Sequence, residues 1–291
     1  MSSQQLVWLI TGTSSGFGRR LVQSALSRGD LVIASARCLK SIQDLAECPS
    51  HQGRVRLLEL DVSSGSKNIK HQVDIAVGFF GRIDVLVNNA GHAIPNILEE
   101  GGSECLRKQF EVNVFGVIDM ANAAAPHMRA QGSGTIVNIG SRSAWKTEIA
   151  GIGPYSASKA AIHALTETLA AELAQFNIRV LLVAPGAFRT ESAYKQPWVS
   201  PNPMPEYATT RNTSISRFNG VRDTMRGDPA KAMEVVVDVV RGEGVARGRE
   251  RPMYLFLGED AEVDLRAKLG KITKALDDWV DVTRGVSFDS T

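Results

Sequence analysis

The chain has 291 residues, of which 43% are hydrophobic and 22% charged, a composition typical of a folded globular protein. A formal net charge of +2 provides no general basic surface, so the composition gives no indication of nucleic-acid binding. The three cysteines are odd in number and lack metal-ligand spacing, and the five histidines form no HxxxH or HExxH cluster. We therefore expect reduced thiols and no metal site.

The N-terminus and the hydropathy pattern indicate where the protein resides. The first predicted strand begins near Leu6, which leaves no room for a signal peptide. No apolar run approaches the length needed to cross a bilayer. We expect a cytoplasmic protein with neither membrane nor nucleic acid as a partner.

Apolar strand-like runs alternate with amphipathic helical ones, which predicts a parallel sheet covered by helices on both faces. The predicted strands are 6–10, 31–36, 55–60, 85–87, 135–139, 179–183 and 253–257, and the main predicted helices are 17–28, 66–78, 103–128, 155–176 and 229–240. This alternation predicts an α/β, Rossmann-like doubly wound fold of about seven strands in a single domain, residues 1–291.

A glycine-rich turn joins the first predicted strand to the first predicted helix. Gly12, Gly16 and Gly18 follow an apolar run of five residues, and apolar residues then recur at helical spacing as far as Leu26. Glycines allow main-chain N–H groups to approach a pyrophosphate, and the helix N-terminus favours its negative charge. Such a turn by itself is often only a turn, so this motif needs support from others.

Tyr155 and Lys159 lie four residues apart in a predicted helix. That spacing places both side chains on one helical face, with Cβ atoms roughly 5–6 Å apart. A free tyrosine has a pKa of about 10, and a neighbouring cation favours the phenolate and lowers that pKa. The pair is therefore suited to acid–base catalysis, although an isolated Tyr-x-x-x-Lys is more often a surface contact.

These motifs belong to a longer ordered set. Along the chain occur Thr11-Gly12-x-x-x-Gly16-x-Gly18, Asn88-Asn89-Ala90-Gly91, a serine after a strand, Tyr155-x-x-x-Lys159 and Pro185-Gly186. Their order and spacing resemble the short-chain dehydrogenase/reductase family, over residues 6 to about 190 with a plausible continuation to the end.

The resemblance implies roles for the catalytic candidates. Tyr155 is the proton donor in carbonyl reduction and the acceptor in alcohol oxidation, and Lys159 lowers its pKa and binds the nicotinamide ribose. A serine holds the substrate oxygen, and Ser141 and Ser143 compete for that role because the spacing to Tyr155 does not decide between them. The Asn-x-Gly-Ser pattern directly after the strand favours Ser141, which leaves Ser143 as a turn residue that helps to cap the loop.

Asn113 matches the fourth family residue, which holds a water in the proton relay. A lone polar side chain in an apolar helix can instead satisfy its own amide inside the core. With the family resemblance in place, we favour the relay role.

The resemblance also implies a bound dinucleotide and the residues that hold it. The expected contacts are Gly12, Thr13, Ser14, Ser15, Gly16, Phe17 and Gly18 in the turn, Asp61 and Val62 at the adenine, Asn88, Ala90 and Gly91 at the adenosine ribose, Tyr155 and Lys159, and Pro185, Gly186, Phe188 and Thr190 at the nicotinamide.

The second predicted strand ends in Ala36-Arg37, with no acidic residue. An acidic residue there would bind the ribose hydroxyls of NAD(H) and repel a 2′-phosphate, whereas a guanidinium binds phosphate well. We therefore expect NADP(H) in preference to NAD(H), and no metal. The alternative is that Arg37 is a solvated surface residue.

One segment, residues 194–226, interrupts the alternation with four prolines among polar residues. We expect an irregular lid over the substrate pocket, followed by a C-terminal extension of the same domain, residues 228–291, with a charged helix at 261–278. His92, Trp145, Tyr194 and Trp198 are the expected substrate contacts, and their character indicates a fairly apolar carbonyl or alcohol.

The most favoured function is that of an NADP(H)-dependent oxidoreductase, a homo-oligomer (dimer or tetramer) that interconverts a ketone or aldehyde and its alcohol. One alternative is a non-catalytic dinucleotide-binding regulator on the same fold, but such proteins typically lack the tyrosine or the lysine. Another is an epimerase or dehydratase of the longer superfamily branch, against which the glycine spacing and chain length speak.

Overall fold

In the computed structural model, a sheet of seven parallel strands runs through the described residues, 5–191, 196–221 and 224–288. Its order is β3-β2-β1-β4-β5-β6-β7. The strands are β1 (Val7–Ile10), β2 (Leu31–Ala36), β3 (Val55–Glu59), β4 (Val85–Asn88), β5 (Gly134–Ile139), β6 (Ile178–Pro185) and β7 (Tyr254–Leu257). The order reverses between β1 and β4, which is where open α/β sheets bind ligands beyond the carboxyl ends of their strands.

Ten α-helices connect and flank these strands in the described part of the chain. They are α1 (Gly16–Ser27), α2 (Gln43–Glu47), α3 (Ser66–Phe80), α4 (Leu98–Phe110), α5 (Gly116–Gln131), α6 (Gly153–Leu173), α7 (Ala208–Val221), α8 (Pro229–Arg241), α9 (Glu259–Asp278) and α10 (Val280–Arg284). A turn of π-helix, Glu111–Phe115, joins α4 to α5.

Two apolar cores lie on opposite faces of the sheet, because successive side chains of a strand point to opposite sides. From β1, Trp8 and Ile10 face a core that contains residues of α1 and α8. Val7 and Leu9 face the other core, which contains residues of α3 and α5. All four side chains are buried, as expected for the central strand of a sheet covered on both sides.

The predicted fold class is confirmed, and all seven predicted strands are present within two residues of their predicted ends. The helix predicted over 103–128 is instead α4, the π-helical turn and α5, with a break at Gly102, whose φ is +57°. The expectation that 194–226 is irregular is wrong, because α7 provides 14 residues of helix within it. β7 joins the same sheet, and α9 follows it.

Candidate active site

The glycine turn between β1 and α1 depends on the absence of side chains. Gly12 adopts a φ of +69°, and a Cβ there would lie 2.9 Å from Ala90 Cα. A Cβ at Gly18 would overlap the carbonyl oxygen of Gly12 and lie 2.5 Å from Asn89 Nδ2. The turn therefore packs directly on the loop that follows β4, and α1 begins at Gly16 with its main-chain N–H groups at that edge.

Asn89 joins the two glycine-containing motifs, a role that the sequence analysis missed. Its Nδ2 donates to the carbonyl oxygens of Thr11 at 2.8 Å and Gly12 at 3.0 Å. The main-chain N–H groups of Asn89 and Ala90 both donate to Thr11 Oγ1 at 3.0 Å. Its place within the Asn-Asn pair was the available signal, but which asparagine faces the turn depends on strand register.

A carboxylate of the chain itself occupies the N-terminus of α1. Glu191 Oε2 accepts a hydrogen bond from Gly16 N at 3.0 Å and one from Arg20 Nη1 at 2.9 Å. The Arg20 hydrogen bond is the main cause that lowers the pKa of Glu191 to about 2. The turn thus binds an anion in this structure, as helix N-termini do.

Tyr155 and Lys159 lie in the first two turns of α6, which begins at Gly153 with Pro154 in its first turn. Lys159 Nζ lies 5.8 Å from the centre of the Tyr155 ring and donates to the Ile139 carbonyl oxygen at 2.7 Å. Lys159 is 6% exposed, whereas Tyr155 is partly exposed at the end of the sheet. Burial lowers the pKa of Lys159 to about 8, so the ammonium still predominates at neutral pH.

Asn113 lies in the π-helical turn and is completely buried. Its Nδ2 donates to the His92 carbonyl oxygen at 2.9 Å and to Ser158 Oγ at 3.1 Å, and its Oδ1 accepts from His92 N at 3.1 Å. A Cβ at Gly91 would lie 3.2 Å from Asn113 Oδ1 and 3.7 Å from Lys159 Nζ. The side chain of Asn113 therefore holds the loop after β4 against the lysine, while its part in a water relay stays a prediction.

Ser141 follows β5 and is 7% exposed. Its Oγ accepts a hydrogen bond from Ser143 N at 3.1 Å, so the hydroxyl that caps the turn at Arg142–Ala144 is that of Ser141. The sequence analysis assigned that capping role to Ser143, which was wrong. A hydroxyl that accepts one bond can still donate its own hydrogen, so Ser141 retains the capacity to donate to a substrate oxygen.

His163, two helical turns after Tyr155 in α6, supports Ser141. Its Nε2 accepts from Ser141 N at 3.3 Å, and burial together with the Lys159 charge lowers its pKa to about 4. The Trp145 ring lies 4.5 Å from the His163 ring and 5.4 Å from Phe256, centre to centre. Trp145 therefore has a packing role in this aromatic group, and its contact with substrate stays a prediction.

The segment after β6 reaches back to the glycine turn. Phe188 is 9% exposed, and its ring meets that of Phe17 edge-on at 5.4 Å between centres. Gly186 N donates to the Leu257 carbonyl oxygen at 2.8 Å, which anchors the Pro185–Gly186 pair at the end of β7. Thr190 N bonds to the Phe188 carbonyl oxygen at 2.9 Å in a tight turn.

Arg37 lies within electrostatic reach of both Asp61 and His92. Burial by itself would raise the pKa of Asp61, but the hydrogen bonds from Ser63 and the Arg37 charge together outweigh it, so this pKa is lowered. Burial is the first cause that lowers the pKa of His92, followed by the charges of Arg37 and Lys159. Arg37 is exposed, whereas Val62 is buried.

Other predicted cofactor residues take structural positions. Thr13 is buried and bonds through both N and Oγ1 to the Ser35 carbonyl oxygen, so its side chain secures the turn to β2. Asn88 is also buried and donates to Asn138 Oδ1 at 2.9 Å, across β4 and β5. Ser14 is exposed, and Ser15 is the N-cap residue of α1.

On the substrate side, Trp198 packs over the start of α6. A Cβ at Gly151, four residues before Tyr155, would lie 2.7 Å from the Trp198 ring, and the Phe218 ring centre is 5.8 Å from that of Trp198. Trp198 Nε1 donates to Ser200 Oγ at 2.9 Å. Tyr194 lies outside the described residues.

These groups fit a dinucleotide. The turn before α1 already binds a carboxylate through Gly16 N, and Gly91 leaves space beside Asn113 and Lys159 that a Cβ would enter. Residues 5–191, 196–221 and 224–288 contain no cluster of three His, Cys, Asp or Glu side chains able to hold a metal. None of the helices formed by these residues is both long and apolar enough to cross a bilayer.

Comparison with known proteins identifies the family. Residues 6–198 match the short chain dehydrogenase family profile. The chain is 31% identical to oxidoreductase BOA17 of Botryotinia fuckeliana over 280 residues, which cover 95% of this chain and 97% of that one. It therefore belongs to the short-chain dehydrogenase family of oxidoreductases.

The chain is also similar to a second curated protein over part of its length and to a solved structure over nearly all of it. It is 38% identical over 190 residues to a 3-ketodihydrosphingosine reductase of Bacteroides thetaiotaomicron, covering 64% of this chain and 65% of that protein. A short-chain dehydrogenase from Streptomyces avermitilis has a structure with a TM-score of 0.85 at 36% identity, covering 98% of this chain and 100% of that one. More distant structures of the same fold contain NAD or NADP.

Proposed function

We propose that this protein is an NADP(H)-dependent oxidoreductase that interconverts a fairly apolar ketone or aldehyde and the corresponding alcohol, with Tyr155 as general acid and base. The main support for this proposal is the pairing of the partly exposed Tyr155 ring with the buried ammonium of Lys159, 5.8 Å from the ring centre. A buried cation beside a phenol favours the phenolate and so assists proton transfer from the hydroxyl.

When bound, the nicotinamide cofactor supplies the hydride for reduction or accepts it in oxidation. In reduction, the Tyr155 hydroxyl gives its proton to the substrate oxygen as the C–O double bond becomes a single bond. Lys159 stabilises the phenolate that remains, and Ser141 Oγ donates a hydrogen bond to the same substrate oxygen. In oxidation, the phenolate takes the alcohol proton.

The dinucleotide contacts follow from the positions of the charged and glycine residues. Gly16 N and the neighbouring N–H groups of α1 hold the pyrophosphate, where Glu191 lies now. Lys159 and the loop at Gly91 hold the nicotinamide ribose, and the Pro185–Thr190 segment holds the nicotinamide. Arg37, exposed at the end of β2, binds the 2′-phosphate that distinguishes NADP(H).

An apolar carbonyl substrate fits the residues near Tyr155. Trp198 and Phe218 cover the loop at Gly151, so residues 196–221 form one wall of the substrate pocket and the segment 194–226 acts as its cap. The partial similarity to a 3-ketodihydrosphingosine reductase supports a ketone as substrate. We extend this to a ketone or aldehyde with an apolar chain.

The test begins with a panel of apolar ketones, aldehydes and alcohols, following NADPH absorbance. Tyr155→Phe should reduce kcat by about 10²–10⁴-fold, the usual value of a positioned acid–base group, with little change in cofactor affinity. The affinity should persist because only the hydroxyl is removed. A variant that kept more than roughly a tenth of the rate would contradict the proton-donor role.

The two serines provide a matched comparison in the same assay. Ser141→Ala should cost far more rate than Ser143→Ala, since only Ser141 is proposed to bind the substrate oxygen. Thermal unfolding of both variants separates this effect from the lost turn cap. The reverse order of rates would assign the substrate oxygen to Ser143.

A further inference from the structure

The loop that carries Ser141 is tied to the C-terminal helix α9. Arg142, the residue after the serine, contacts Asp260 Oδ2 at 2.8 Å and Asp264 Oδ2 at 2.9 Å through its Nη1. Asp264 also pairs with Lys146 at 3.4 Å. More than a hundred residues separate these partners along the chain. The first two turns of α9 therefore support the serine loop, in addition to His163.

Asp260 makes one contact that Asp264 does not share. Its Oδ2 also accepts a hydrogen bond from Ala187 N at 2.8 Å, in the segment after β6. A Cβ at Gly186 would overlap the Asp260 carboxylate, so glycine is needed there for the carboxylate to approach. The same Oδ2 atom thus binds the serine loop through Arg142 and the Pro185–Thr190 segment through Ala187.

From this bridge we infer that Asp260 is a positioning residue that sets the serine loop and the nicotinamide-binding segment in register. The inference rests on the proposed function, in which those two loops hold the substrate oxygen and the nicotinamide. The structural consequence is that α9 forms part of the support of the active site. In this role Asp260 acts through Arg142 and Ala187 and not through a contact with substrate or cofactor.

We expect Asp260→Ala to lose binding affinity at the nicotinamide half of the cofactor and to keep it at the adenosine half. Asp260→Ala removes the acceptor of Ala187 N and one of the two carboxylates on Arg142. Its affinity for NADPH should fall by about tenfold, in the range of a hydrogen bond to a charged group, and kcat at saturating cofactor should also fall. Its affinity for 2′-phospho-ADP-ribose, which lacks the nicotinamide, should stay within about twofold of wild type.

Two further variants make the comparison specific. Asp264→Ala removes the other carboxylate that binds Arg142 and leaves the hydrogen bond to Ala187 N intact. Its affinities for both ligands should therefore remain within about twofold of wild type. Asp260→Asn keeps an oxygen that can accept from Ala187 N, so it should recover most of the NADPH affinity. Thermal unfolding establishes that each variant is folded. Where Asp260→Ala does not fold, Asp260→Ser replaces it, because the shorter side chain cannot reach both Arg142 and Ala187.

Three results would overturn the inference: equal losses for both ligands in Asp260→Ala, the same effect from Asp264→Ala, or no change in either affinity or kcat. Because the main readout is binding, it does not depend on finding the substrate. Absence of turnover with intact NADPH binding would reject the proposed function alone. If the wild type prefers NADH, the pair NADH and ADP-ribose replaces the phosphorylated ligands.

Discussion

At the scale of single residues, burial sets the properties of the groups around Tyr155. Lys159 is 6% exposed, yet its Nζ keeps the Ile139 carbonyl oxygen as a partner. His163 is neutral at physiological pH because burial and the Lys159 charge lower its pKa to about 4, and this neutrality allows Nε2 to accept from Ser141 N. With His163 neutral, Lys159 is the cation that we propose to act on Tyr155.

The pKa of Lys159 predicts the pH dependence of reduction. Burial lowers that pKa to about 8, so the charged ammonium predominates below pH 8 and the neutral amine above it. Because the charged form assists proton transfer from Tyr155, kcat/KM for carbonyl reduction should fall as pH rises through about 8. Steady-state rates across this range measure it, with Lys159→Met as the variant that should lose this dependence. A flat profile in the wild type would contradict the assignment.

Arg37 predicts the cofactor preference. Arg37→Asp should shift the ratio of NADPH to NADH affinity by about tenfold or more toward NADH, because it removes a phosphate partner and adds a repulsive charge. Titration of both cofactors against wild type and variant measures the ratio. Lys40→Asp, at an exposed cation three residues further on, is the matched control and should leave the ratio unchanged. Unaltered selectivity in Arg37→Asp would mean that the guanidinium points into solvent.

At the scale of secondary-structure elements, the N-terminus of α1 binds Glu191 at the place proposed for the pyrophosphate. Since two anions cannot share these N–H groups, the carboxylate must leave when the dinucleotide binds. Glu191→Gln should therefore tighten cofactor binding roughly two- to fivefold, the scale of a charge at a helix terminus.

Isothermal titration of the cofactor into both proteins measures this change. Glu172→Gln, at an exposed position near the end of α6, should leave the affinity unaltered. Weaker binding in Glu191→Gln would show instead that the carboxylate shapes the cofactor site and does not compete for it.

At the scale of the whole molecule, α9 and the residue directly after it carry an apolar stripe that the rest of the described chain leaves uncovered. Leu269, Ile272, Leu276 and Trp279 are 54%, 46%, 62% and 62% exposed and follow one another at intervals of three and four residues. This spacing is that of the seam between paired helices. In an antiparallel pair of α9 helices, Leu276 faces Ile272 and Trp279 faces Leu269, so the stripe is complementary to a second copy of itself.

We therefore predict a homo-oligomer that assembles through α9. Leu276→Glu, which places a charge in the seam, should lower the molar mass in light scattering to that of one chain. Ala267→Glu, at an exposed position on the opposite side of α9, should leave it unchanged. A wild-type protein that is already monomeric at micromolar concentration would rule out this assembly.

The order of the elements was predictable because strands and helices have local signatures. Seven apolar runs separated by helical periodicity led to seven parallel strands, and Tyr155 and Lys159 share a face of α6 because four residues make about one turn. α7 was not predicted, since the prolines before it suggested an irregular segment and its polar residues show little helical periodicity. The π-helical turn divided what the periodicity predicted as one helix, and α4 begins before that helix, with a break at Gly102.

In the candidate site, too, some features were predictable from local sequence patterns and others depend on tertiary contacts. Motif spacing selected Tyr155, Lys159, Ser141 and the glycine turn as candidates, because each motif lies within one strand–turn–helix segment. The partners that hold these motifs together, such as Asn89 on Thr11 and Asp260 on Arg142 and Ala187, are 73 to 118 residues away in the chain. No local periodicity encodes such pairings, since they arise only when parallel strands bring their carboxyl ends to one edge of the sheet. Composition and spacing therefore indicated the family and the chemistry that we propose from it, whereas the folded sheet decides which side chains support the proposed site.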